Sequence, residues 1–294
     1  METLQGYEAL IVRRSQGVLF ATLNQPATRN ALGSVMLDEL QHVMAIAEQD
    51  SSLRALVLRG AGGVFCAGGN IGGFQEILQA QPQAADPIAL RNRQFGYFMD
   101  RLTALPLPVL AVVEGAAMGG GMGLACAADF VLATENARFA LSETTLGIIA
   151  AQITPFVVAR LGAARTRRLG LSGERVSGNL ALRLGLLDAL ASDSQQLDAL
   201  EAEWLTRICR CAPHANRAFK PLVQRSGAEP VSALLDEAAQ IFARCLRDEG
   251  GEGTQAFREK RDASWCVAFD AASVAAAHGV AATASRTSPQ GLVA

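Results

Sequence analysis

Short apolar runs alternate with helical patterns up to about residue 196, and this alternation limits the folds open to the chain. The runs are typical of short β-strands, and they are Val18–Leu23, Ala55–Leu58, Val109–Val113 and Phe130–Ala133. Between them, Leu32–Gln49 has apolar residues at helical spacing, and further helices are expected at about 91–104 and 121–128. Strands and helices in alternation predict an α/β core.

The character of the sequence changes at about residue 197. Three amphipathic helices are predicted beyond it, at Leu197–Cys211, His214–Gln224 and Val231–Arg247. We therefore divide the chain into an α/β core (1–196), an all-helical module (197–268) and a tail (269–294). The tail is rich in alanine and carries almost no charge, so we expect it to be disordered.

The composition excludes several classes of protein. Hydrophobic residues make up 50% of the chain, which is enough to build a core and excludes a disordered chain. The net charge is only −2, so we expect neither nucleic acid nor an anionic membrane as a partner. Because no signal peptide and no membrane-spanning run are visible, we expect a cytoplasmic protein.

The thiol and imidazole groups predict no metal site. The 6 cysteines lack zinc-type spacing, and we interpret them as reduced thiols packed among apolar residues. The 3 histidines, His42, His214 and His278, are scattered along the chain and are expected at the surface. We therefore expect neither a metal ion nor a cofactor.

Two glycine-rich segments, Val64–Asn70 and Glu114–Leu124, each follow a predicted strand directly. Small residues after a strand let the backbone approach a ligand and aim its N–H groups at it. The second glycine run also opens a predicted helix, whose first N–H groups lack partners within the helix. Taken alone, each segment is more often structural than functional.

A third segment, Phe139–Ile148, places one carboxylate, Glu143, in otherwise uncharged surroundings. On its own, such a residue is more often paired with a basic neighbour than catalytic. Together, the three segments can supply two backbone donors for one oxygen and a desolvated carboxylate beside it. A thioester needs this oxyanion hole and general acid/base when its carbonyl group becomes an enolate.

Other chemistries fit the sequence less well. Leu124 stands where the dinucleotide-binding pattern needs its third glycine. Neither the Gly-Lys-Ser/Thr of a phosphate-binding loop nor the Gly-x-Ser-x-Gly of a nucleophile elbow occurs in the chain. Cys66 is not expected to be a nucleophile, because no histidine lies near it in the sequence.

Several separate motifs, in order along residues 8–266, resemble those of the crotonase (enoyl-CoA hydratase/isomerase) superfamily. They are Asn24–Leu32, Phe65–Asn70, Gly119–Gly121, Ser142–Gly147 and Phe257–Arg261. The resemblance implies a crotonase-like spiral ββα core with a C-terminal helical module that forms a homotrimer or a dimer of trimers. It also implies that the substrate is an acyl-CoA thioester.

The same resemblance implies roles for individual residues. The backbone N–H groups of Ala67 and Gly120 would hold the thioester oxygen, and Glu143 would transfer the proton. The residues implied to contact CoA or the acyl group are Arg29, Ala31, Ala67, Gly68, Gly69, Asn70, Ile71, Gly120 and Gly123. Arg29 would reach a CoA phosphate, with a solvated surface arginine as the alternative interpretation.

One departure from the family pattern concerns the catalytic carboxylates. Many family hydratases carry a second glutamate two residues after the glycine triplet, where this chain has Gly123. Glu143 would therefore act alone, either in hydration or in moving one proton between C2 and C4. An apolar pocket would raise the pKa of Glu143 and help either reaction. Gly123 would enlarge the pocket for a bulky acyl group, unless it is only a packing choice.

Two details resemble one branch of the family. Ala151–Val158 resembles methylglutaconyl-CoA hydratases, and Gly119–Cys126 with Glu143–Gly147 resembles isohexenylglutaconyl-CoA hydratases of acyclic terpene breakdown. The predicted function is hydration of a branched 2-enoyl-CoA, which is a lyase reaction. The alternatives are a Δ3,Δ2-enoyl-CoA isomerase and a non-catalytic scaffold that binds CoA esters or RNA. The candidate partners for a second substrate carboxylate are Arg91, Arg93 and Lys220.

Overall fold

The computed structural model describes residues 1–69 and 86–279 of the chain. Its strands, in chain order, are β1 (Glu2–Leu4), β2 (Leu10–Ser15), β3 (Val18–Leu23), β4 (Ala55–Gly60), β5 (Val109–Val113), β6 (Ala116–Met118), β7 (Phe130–Thr134), β8 (Arg138–Ala140), β9 (Val176–Ser177) and β10 (Ala189–Ala191). Short 3₁₀-helical turns lie at Pro26–Thr28, Ala61–Gly63 and Glu143–Leu146.

The helices alternate with the strands in the first part of the chain and follow one another in the last part. They are α1 (Ser34–Gln49), α2 (Pro87–Ala104), α3 (Gly120–Ala127), α4 (Thr154–Leu161), α5 (Ala163–Ser172), α6 (Gly178–Leu184), α7 (Ser194–Arg210), α8 (Pro213–Arg225), α9 (Val231–Arg247), α10 (Gly250–Glu259) and α11 (Ala271–Ala277). The predicted α/β class with C-terminal helices is therefore confirmed.

The larger sheet has the spatial order β1-β2-β3-β4-β5-β7-β10, and β6, β8 and β9 form a smaller sheet. The first three strands are antiparallel, and the pairs from β3 to β10 are parallel. Leu23 lies beside Gly60, and Arg59 lies beside Val112, so β3, β4 and β5 end at the same edge. The loops that follow them, including both glycine-rich segments, therefore leave the sheet together.

Helices cover both faces of the larger sheet. Alternate residues of β4 belong to separate cores, with Leu56 and Leu58 on one face and Ala55 and Val57 on the other. α1 and α3 pack in the first core, and α7 and α11 pack in the second. Because both faces are buried, the central strands are continuous apolar runs, which is why the sequence alone predicts them.

The predicted elements are present, with shifts at some ends. Val18–Leu23 and Val109–Val113 have the predicted bounds. The helix predicted from Leu32 begins at Ser34 instead, because Gly33 has an extended backbone (φ −89°, ψ 173°) and is the N-cap of the helix. Strands β6, β8 and β9 are too short to show an alternating pattern, and the sequence does not predict them.

The first two helices of the predicted all-helical module contact the α/β core, which their sequence pattern does not indicate. α7, the first helix of the predicted all-helical module, packs its apolar face directly on the larger sheet. α8 is tied to the core through Lys220, whose ammonium group contacts the carboxylate of Asp129 (2.6 Å). No helix within residues 1–69 and 86–279 is long and apolar enough to cross a membrane.

The prediction of a disordered tail from residue 269 is wrong for the tail's first residues. α11 begins with a capping box, in which Asp270 and Ser273 each bond the other's backbone N–H. Val274 and Ala277 are buried, and so is His278, which was expected at the surface. Alanine is a strong helix former, and composition alone cannot reveal that this helix packs against α7. Residues 280–294 lie outside the described part of the chain.

Candidate active site

The two glycine-rich segments run side by side as a parallel pair. The Cys66 N–H donates to the Ala116 carbonyl oxygen (2.9 Å), and the Met118 N–H donates to the Cys66 carbonyl oxygen (3.0 Å). Beyond this pairing, one segment continues into Gly68–Gly69 and the other into Gly119–Gly121. The edge of the sheet therefore brings together the two segments that the sequence predicts to be functional.

Close backbone approach requires glycine at three points of this pair. Gly68 has a φ of +100°, and a Cβ atom there would lie 2.8 Å from the Met118 carbonyl oxygen. A Cβ atom at Gly121 would lie 2.4 Å from the Cys66 carbonyl oxygen. Gly119 has a φ of +49° and directly precedes α3. Each position has a conformation or a contact that excludes a side chain.

Two of the N–H groups in the first segment are already engaged. The Ala67 N–H donates to the Arg29 carbonyl oxygen (3.0 Å). The Gly68 N–H donates to Cys66 Sγ (3.4 Å). The predicted role of Ala67 as a backbone donor to the substrate is therefore wrong, because its N–H group has an acceptor within the protein.

The N–H groups of Gly69 and Gly120 are the donors that remain at this junction. Neither has an acceptor within residues 1–69 and 86–279. Gly120 is the first residue of α3, where an N–H group has no partner inside the helix. The Gly69 nitrogen lies 3.7 Å from the position that a Gly120 Cβ atom would occupy. Two neighbouring free N–H groups at a helix N-terminus favour a negatively charged oxygen.

A turn rich in hydrogen bonds holds the first segment in place. Asn30 has a φ of +55° and a buried side chain. Its Nδ2 donates to the carbonyl oxygens of Ala61 (3.0 Å) and Val64 (2.6 Å), and its Oδ1 accepts from the Gln25 N–H (2.8 Å). The sequence predicts only CoA contacts for this motif, so the role of Asn30 as a positioning residue was missed. An asparagine shortly after a proline turn is the signal that could have revealed it, because asparagine tolerates left-handed conformations and its side chain bonds nearby backbone groups.

Glu143 opens the 3₁₀-helical turn that follows β8, and its carboxyl group lies against Gly119. A Cβ atom at Gly119 would lie only 2.8 Å from Glu143 Oε1, so glycine makes room for the carboxyl group. The other oxygen, Oε2, is buried and has no hydrogen-bond partner among the described residues. The carboxyl group of the predicted acid/base residue therefore contacts Gly119, the residue directly before the Gly120 donor. Its Oε2 atom has no partner among the described residues and is available to exchange a proton.

The surroundings of Glu143 favour its protonated form. Burial raises the pKa of the Glu143 carboxyl group, and a hydrogen bond from its own backbone N–H opposes this effect only partly. The direction is the one that the sequence predicts for a carboxyl group in an apolar pocket. A raised pKa brings the group closer to the value at which it can both accept and return a proton near neutral pH.

The space beside Gly123 is filled by another residue. A Cβ atom at Gly123 would lie 2.3 Å from Ile153 Cγ2 and 2.6 Å from Ile153 Cβ. Gly123 is itself fully buried, and Ile153 is 3% exposed. The expectation that Gly123 enlarges the acyl pocket is therefore wrong, because Ile153 occupies the room that the missing side chain leaves. The packing interpretation of Gly123 is the correct one.

A cavity of about 250 Å³ opens beside Glu143, between the 3₁₀-helical turn, α4 and α5. Its described lining residues are Leu141, Glu143, Thr144, Ile149, Ala150, Thr154, Val158, Ala163, Thr166, Arg167, Gly170 and Leu171. The walls are mostly apolar, with one acidic and one basic side chain among these residues. Arg167 was not predicted, because helical spacing alone does not show which face of α5 borders a cavity.

The basic residues proposed from sequence for a second substrate carboxylate do not line this cavity. Lys220 is bound to Asp129 and to the Leu107 carbonyl oxygen, so it is already neutralised. The guanidinium group of Arg93 stacks 3.8 Å from the centre of the Tyr97 ring. Arg91 is exposed on α2. The structure contradicts the role proposed for Lys220 and does not bring the two arginines to the cavity.

The remaining predicted residues have varied positions. Arg29 is exposed, and Ala31 is half-buried beside the first glycine-rich segment. Asn70 and Ile71 lie outside the described residues. Burial raises the pKa of the Cys66 thiol to about 12, which fits the prediction that it is not a nucleophile. Within the described ranges, no cluster of side chains has the composition of a metal site.

Comparison with known proteins gives consistent similarities. The sequence pattern of the enoyl-CoA hydratase/isomerase family matches residues 13–267. The 2,3-dehydroadipyl-CoA hydratase of Escherichia coli (strain K12) is 34% identical over 255 residues, which cover 86% of this chain and 96% of the relative. A probable enoyl-CoA hydratase of Bacillus subtilis (strain 168) is 31% identical over 255 residues, which cover 86% and 96% of the two chains.

Solved structures show the same similarity. AtuE of Pseudomonas aeruginosa is 45% identical to this chain and superposes with a TM-score of 0.85, over 88% of this chain and 100% of the other. An enoyl-CoA hydratase/isomerase from Marinobacter aquaeolei is 42% identical with a TM-score of 0.84, over 88% and 99% of the two chains. The similarity therefore extends over the core and the C-terminal helices.

Proposed function

The chain belongs to the enoyl-CoA hydratase/isomerase family, and we propose that it adds water to a branched 2-enoyl-CoA thioester that carries a second carboxylate. The observation that carries this proposal is the position of Glu143. Its carboxyl group has a buried oxygen without a partner among the described residues, and it lies against Gly119, directly before the Gly120 donor. One acid/base group beside one oxyanion site is the minimum that thioester hydration requires.

The proposed reaction uses Glu143 twice. The Glu143 carboxylate takes a proton from water while the water oxygen bonds to C3 of the acyl group. The electrons of the double bond move onto the thioester oxygen, and the N–H groups of Gly69 and Gly120 donate to the resulting enolate. Protonated Glu143 then returns its proton to C2, and the enolate collapses to the thioester. Water is thus added across the 2,3 double bond, and the carboxylate is regenerated.

The nature of the cavity supports a branched substrate. Its walls are mostly apolar, and they suit a hydrocarbon branch rather than the polar CoA moiety. The sequence resemblance to one branch of the family makes isohexenylglutaconyl-CoA, an intermediate of acyclic terpene breakdown, our first candidate. The relative named 2,3-dehydroadipyl-CoA hydratase also takes an ester with a second carboxylate, as its name states.

We propose further that the exposed side chain of Arg29 binds a phosphate group of CoA.

A Δ3,Δ2-enoyl-CoA isomerase is the second candidate. It is favoured by the packing at Gly123, where Ile153 occupies the position from which a second glutamate would act. A single carboxyl group is sufficient to move one proton between C2 and C4 through a dienolate, whose oxygen would accept from the same two N–H groups. The two candidates differ in their product, because only hydration adds the atoms of water.

The test is mass spectrometry of CoA esters after incubation with the purified protein in deuterated water. The panel contains isohexenylglutaconyl-CoA, 3-methylglutaconyl-CoA, crotonyl-CoA and a 3-enoyl-CoA, with the Glu143→Gln variant as the matched control. Gain of water on the branched esters, with little on crotonyl-CoA, would support the hydratase. Deuterium uptake at C2 or C4 of the 3-enoyl ester without added water would identify an isomerase. No change in any ester would overturn both candidates.

We also propose that the active protein is a homotrimer or a dimer of trimers. The C-terminal helices α8, α9 and α10 carry large apolar side chains that are exposed in the single chain, and these are Phe219, Val223, Val231, Leu235, Phe242, Leu246 and Phe257. Many exposed apolar side chains on successive helices favour a surface that another protein chain covers. Light scattering after size-exclusion chromatography tests the proposal, and a monomer at micromolar concentration would contradict it.

A further inference from the structure

The cavity beside Glu143 contains a cation that the proposed reaction does not use. Among the described lining residues, Arg167 is the one basic side chain and Glu143 is the one acidic side chain. Glu143 Oε2 has no hydrogen-bond partner among the described residues, so it is not paired with Arg167. The Glu143 carboxyl group therefore remains free for proton transfer.

The helical pattern of α5 explains why Arg167 borders the cavity. The cavity-lining residues of this helix, which are Ala163, Thr166, Arg167, Gly170 and Leu171, lie three or four positions apart and share one face. Thr144 Oγ1 donates to the Gly170 carbonyl oxygen (2.7 Å) and fixes this face against the turn that carries Glu143. The cavity therefore has the acid/base group on one wall and a cation on another.

The neighbouring arginines of α5 have partners, whereas Arg167 has none in the part of the chain that the structure describes. Arg165 Nη1 donates to the Leu184 carbonyl oxygen (2.6 Å). Arg168 makes a two-pronged ion pair with Glu174, with both N–O distances at 2.9 Å. Arg167 is exposed and borders the mostly apolar cavity, and an arginine there without a carboxylate partner among the described residues is suited to receive one from a ligand.

We propose that Arg167 binds the second carboxylate of the acyl group and selects dicarboxylic enoyl-CoA esters over their neutral analogues. This inference rests on the proposed function, since it concerns the same substrate. The acyl group would fill the apolar space, with its thioester end at Gly69 and Gly120 and its carboxylate at Arg167. The cavity of about 250 Å³ has room for an acyl group but not for CoA, which would remain outside.

The experiment compares two pairs of esters that differ only in the distal carboxylate. One pair is 2,3-dehydroadipyl-CoA and 2-hexenoyl-CoA, and the other is 3-methylglutaconyl-CoA and 3-methyl-2-pentenoyl-CoA. Hydration is measured for the wild type, Arg167→Gln and the matched control Arg168→Gln, which loses an arginine that is paired with Glu174. For Arg167→Gln we expect KM to rise about 10- to 100-fold for the carboxylate esters, which is the usual effect of losing a hydrogen bond to a charged group. The neutral esters should be unaffected, and Arg168→Gln should behave like the wild type.

The outcomes separate this inference from the proposed function. If the wild type hydrates neither these four esters nor isohexenylglutaconyl-CoA, the proposed function fails first. If it hydrates them but Arg167→Gln affects both members of a pair equally, Arg167 is not the carboxylate partner. An equal effect of Arg168→Gln would mean that the total charge of α5 affects KM, rather than a specific contact with Arg167.

Binding of adipyl-CoA and hexanoyl-CoA, which have no double bond to hydrate, gives a second readout. Only adipyl-CoA should bind more weakly to Arg167→Gln.

Discussion

Glu143 and Glu201 both keep carboxyl oxygens away from solvent, but their surroundings differ. Glu201 is fully buried, and each of its oxygens has a partner. Oε1 is hydrogen-bonded to His278 Nε2 (2.8 Å), and Oε2 faces Arg59 Nη1 (3.4 Å). Glu143 Oε2 has no partner among the described residues, although it too is buried. A buried carboxyl oxygen without a partner costs free energy, so a fold retains one where a function requires it.

Arg59 is the centre of the paired region. Arg59 is 1% exposed, and its guanidinium group contacts Glu114 (2.7 Å) and Asp198 (2.5 Å) as well as Glu201. Burial alone would lower the pKa of Arg59, but the surrounding carboxylates outweigh burial and raise it. The network joins β4, α7 and the residue after α11 on the face of the sheet away from the cavity. We infer that the charges of the Arg59 network stabilise the fold, whereas the carboxyl group of Glu143 serves the reaction.

The largest expected effect in this comparison is that of Glu143→Gln. The amide keeps the size of the side chain but cannot accept and return a proton, so we expect kcat to fall about 10³-fold. Because no ion pair is lost, the free energy of unfolding should change by less than about 1 kcal/mol. Steady-state kinetics and urea unfolding measure the two quantities. Wild-type turnover in this variant would remove Glu143 from the reaction.

Arg59→Met should show the opposite behaviour. Removing the cation leaves three carboxylates together at low exposure, and we expect a loss of about 3–5 kcal/mol in the free energy of unfolding. Arg168→Met, which breaks an exposed ion pair with Glu174, is the control and should cost less than about 1 kcal/mol. Folded Arg59→Met should keep the wild-type kcat. Equal stability of the two variants would show that the buried network does not hold the fold.

Gly120→Pro tests the donor beside Glu143 with a smaller expected effect. Gly120 is the first residue of α3, where proline is tolerated and only the free N–H group is lost. We expect kcat to fall about 10²-fold, as for other enzymes that lose one oxyanion donor. Gly120→Ala keeps the N–H group and adds the same Cβ atom, so it should stay near the wild-type rate. Equal losses in both variants would point to the side chain and against the N–H group.

The sequence predicts those features whose cause is local. The buried strands appear as continuous apolar runs, and Glu143 stands out as a lone charge in an apolar segment. A glycine run that opens a helix leaves its first N–H groups free, and the family resemblance implies that Gly120 is the donor among them. Each of these features depends on residues close together in the chain, so a pattern in one sequence is enough.

The features that the sequence does not predict depend on contacts between distant segments. Whether Ala67 or Gly69 has a free N–H group depends on the Arg29 carbonyl oxygen, which only the fold brings to Ala67. Whether Gly123 leaves open space depends on Ile153, which belongs to a different part of the chain. His278 looks like a surface residue until α11 packs against α7. These outcomes follow from packing, which periodicity and composition do not encode.

The pH dependence of the reaction gives the smallest effect and tests the physical cause of the difference between the two regions. Hydration needs Glu143 as a carboxylate, and burial raises its pKa above the ordinary value of 4.5. As the pH falls through this raised pKa, kcat/KM should fall tenfold per pH unit, with a midpoint above 4.5. Arg59→Met should keep the same midpoint, because the Arg59 network lies on the other face of the sheet.

The residual activity of Glu143→Gln should lack the fall of kcat/KM at low pH, which is the acidic limb of the pH profile. A limb that persists in Glu143→Gln would belong to another group, and the partnerless oxygen of Glu143 would then have no part in proton transfer.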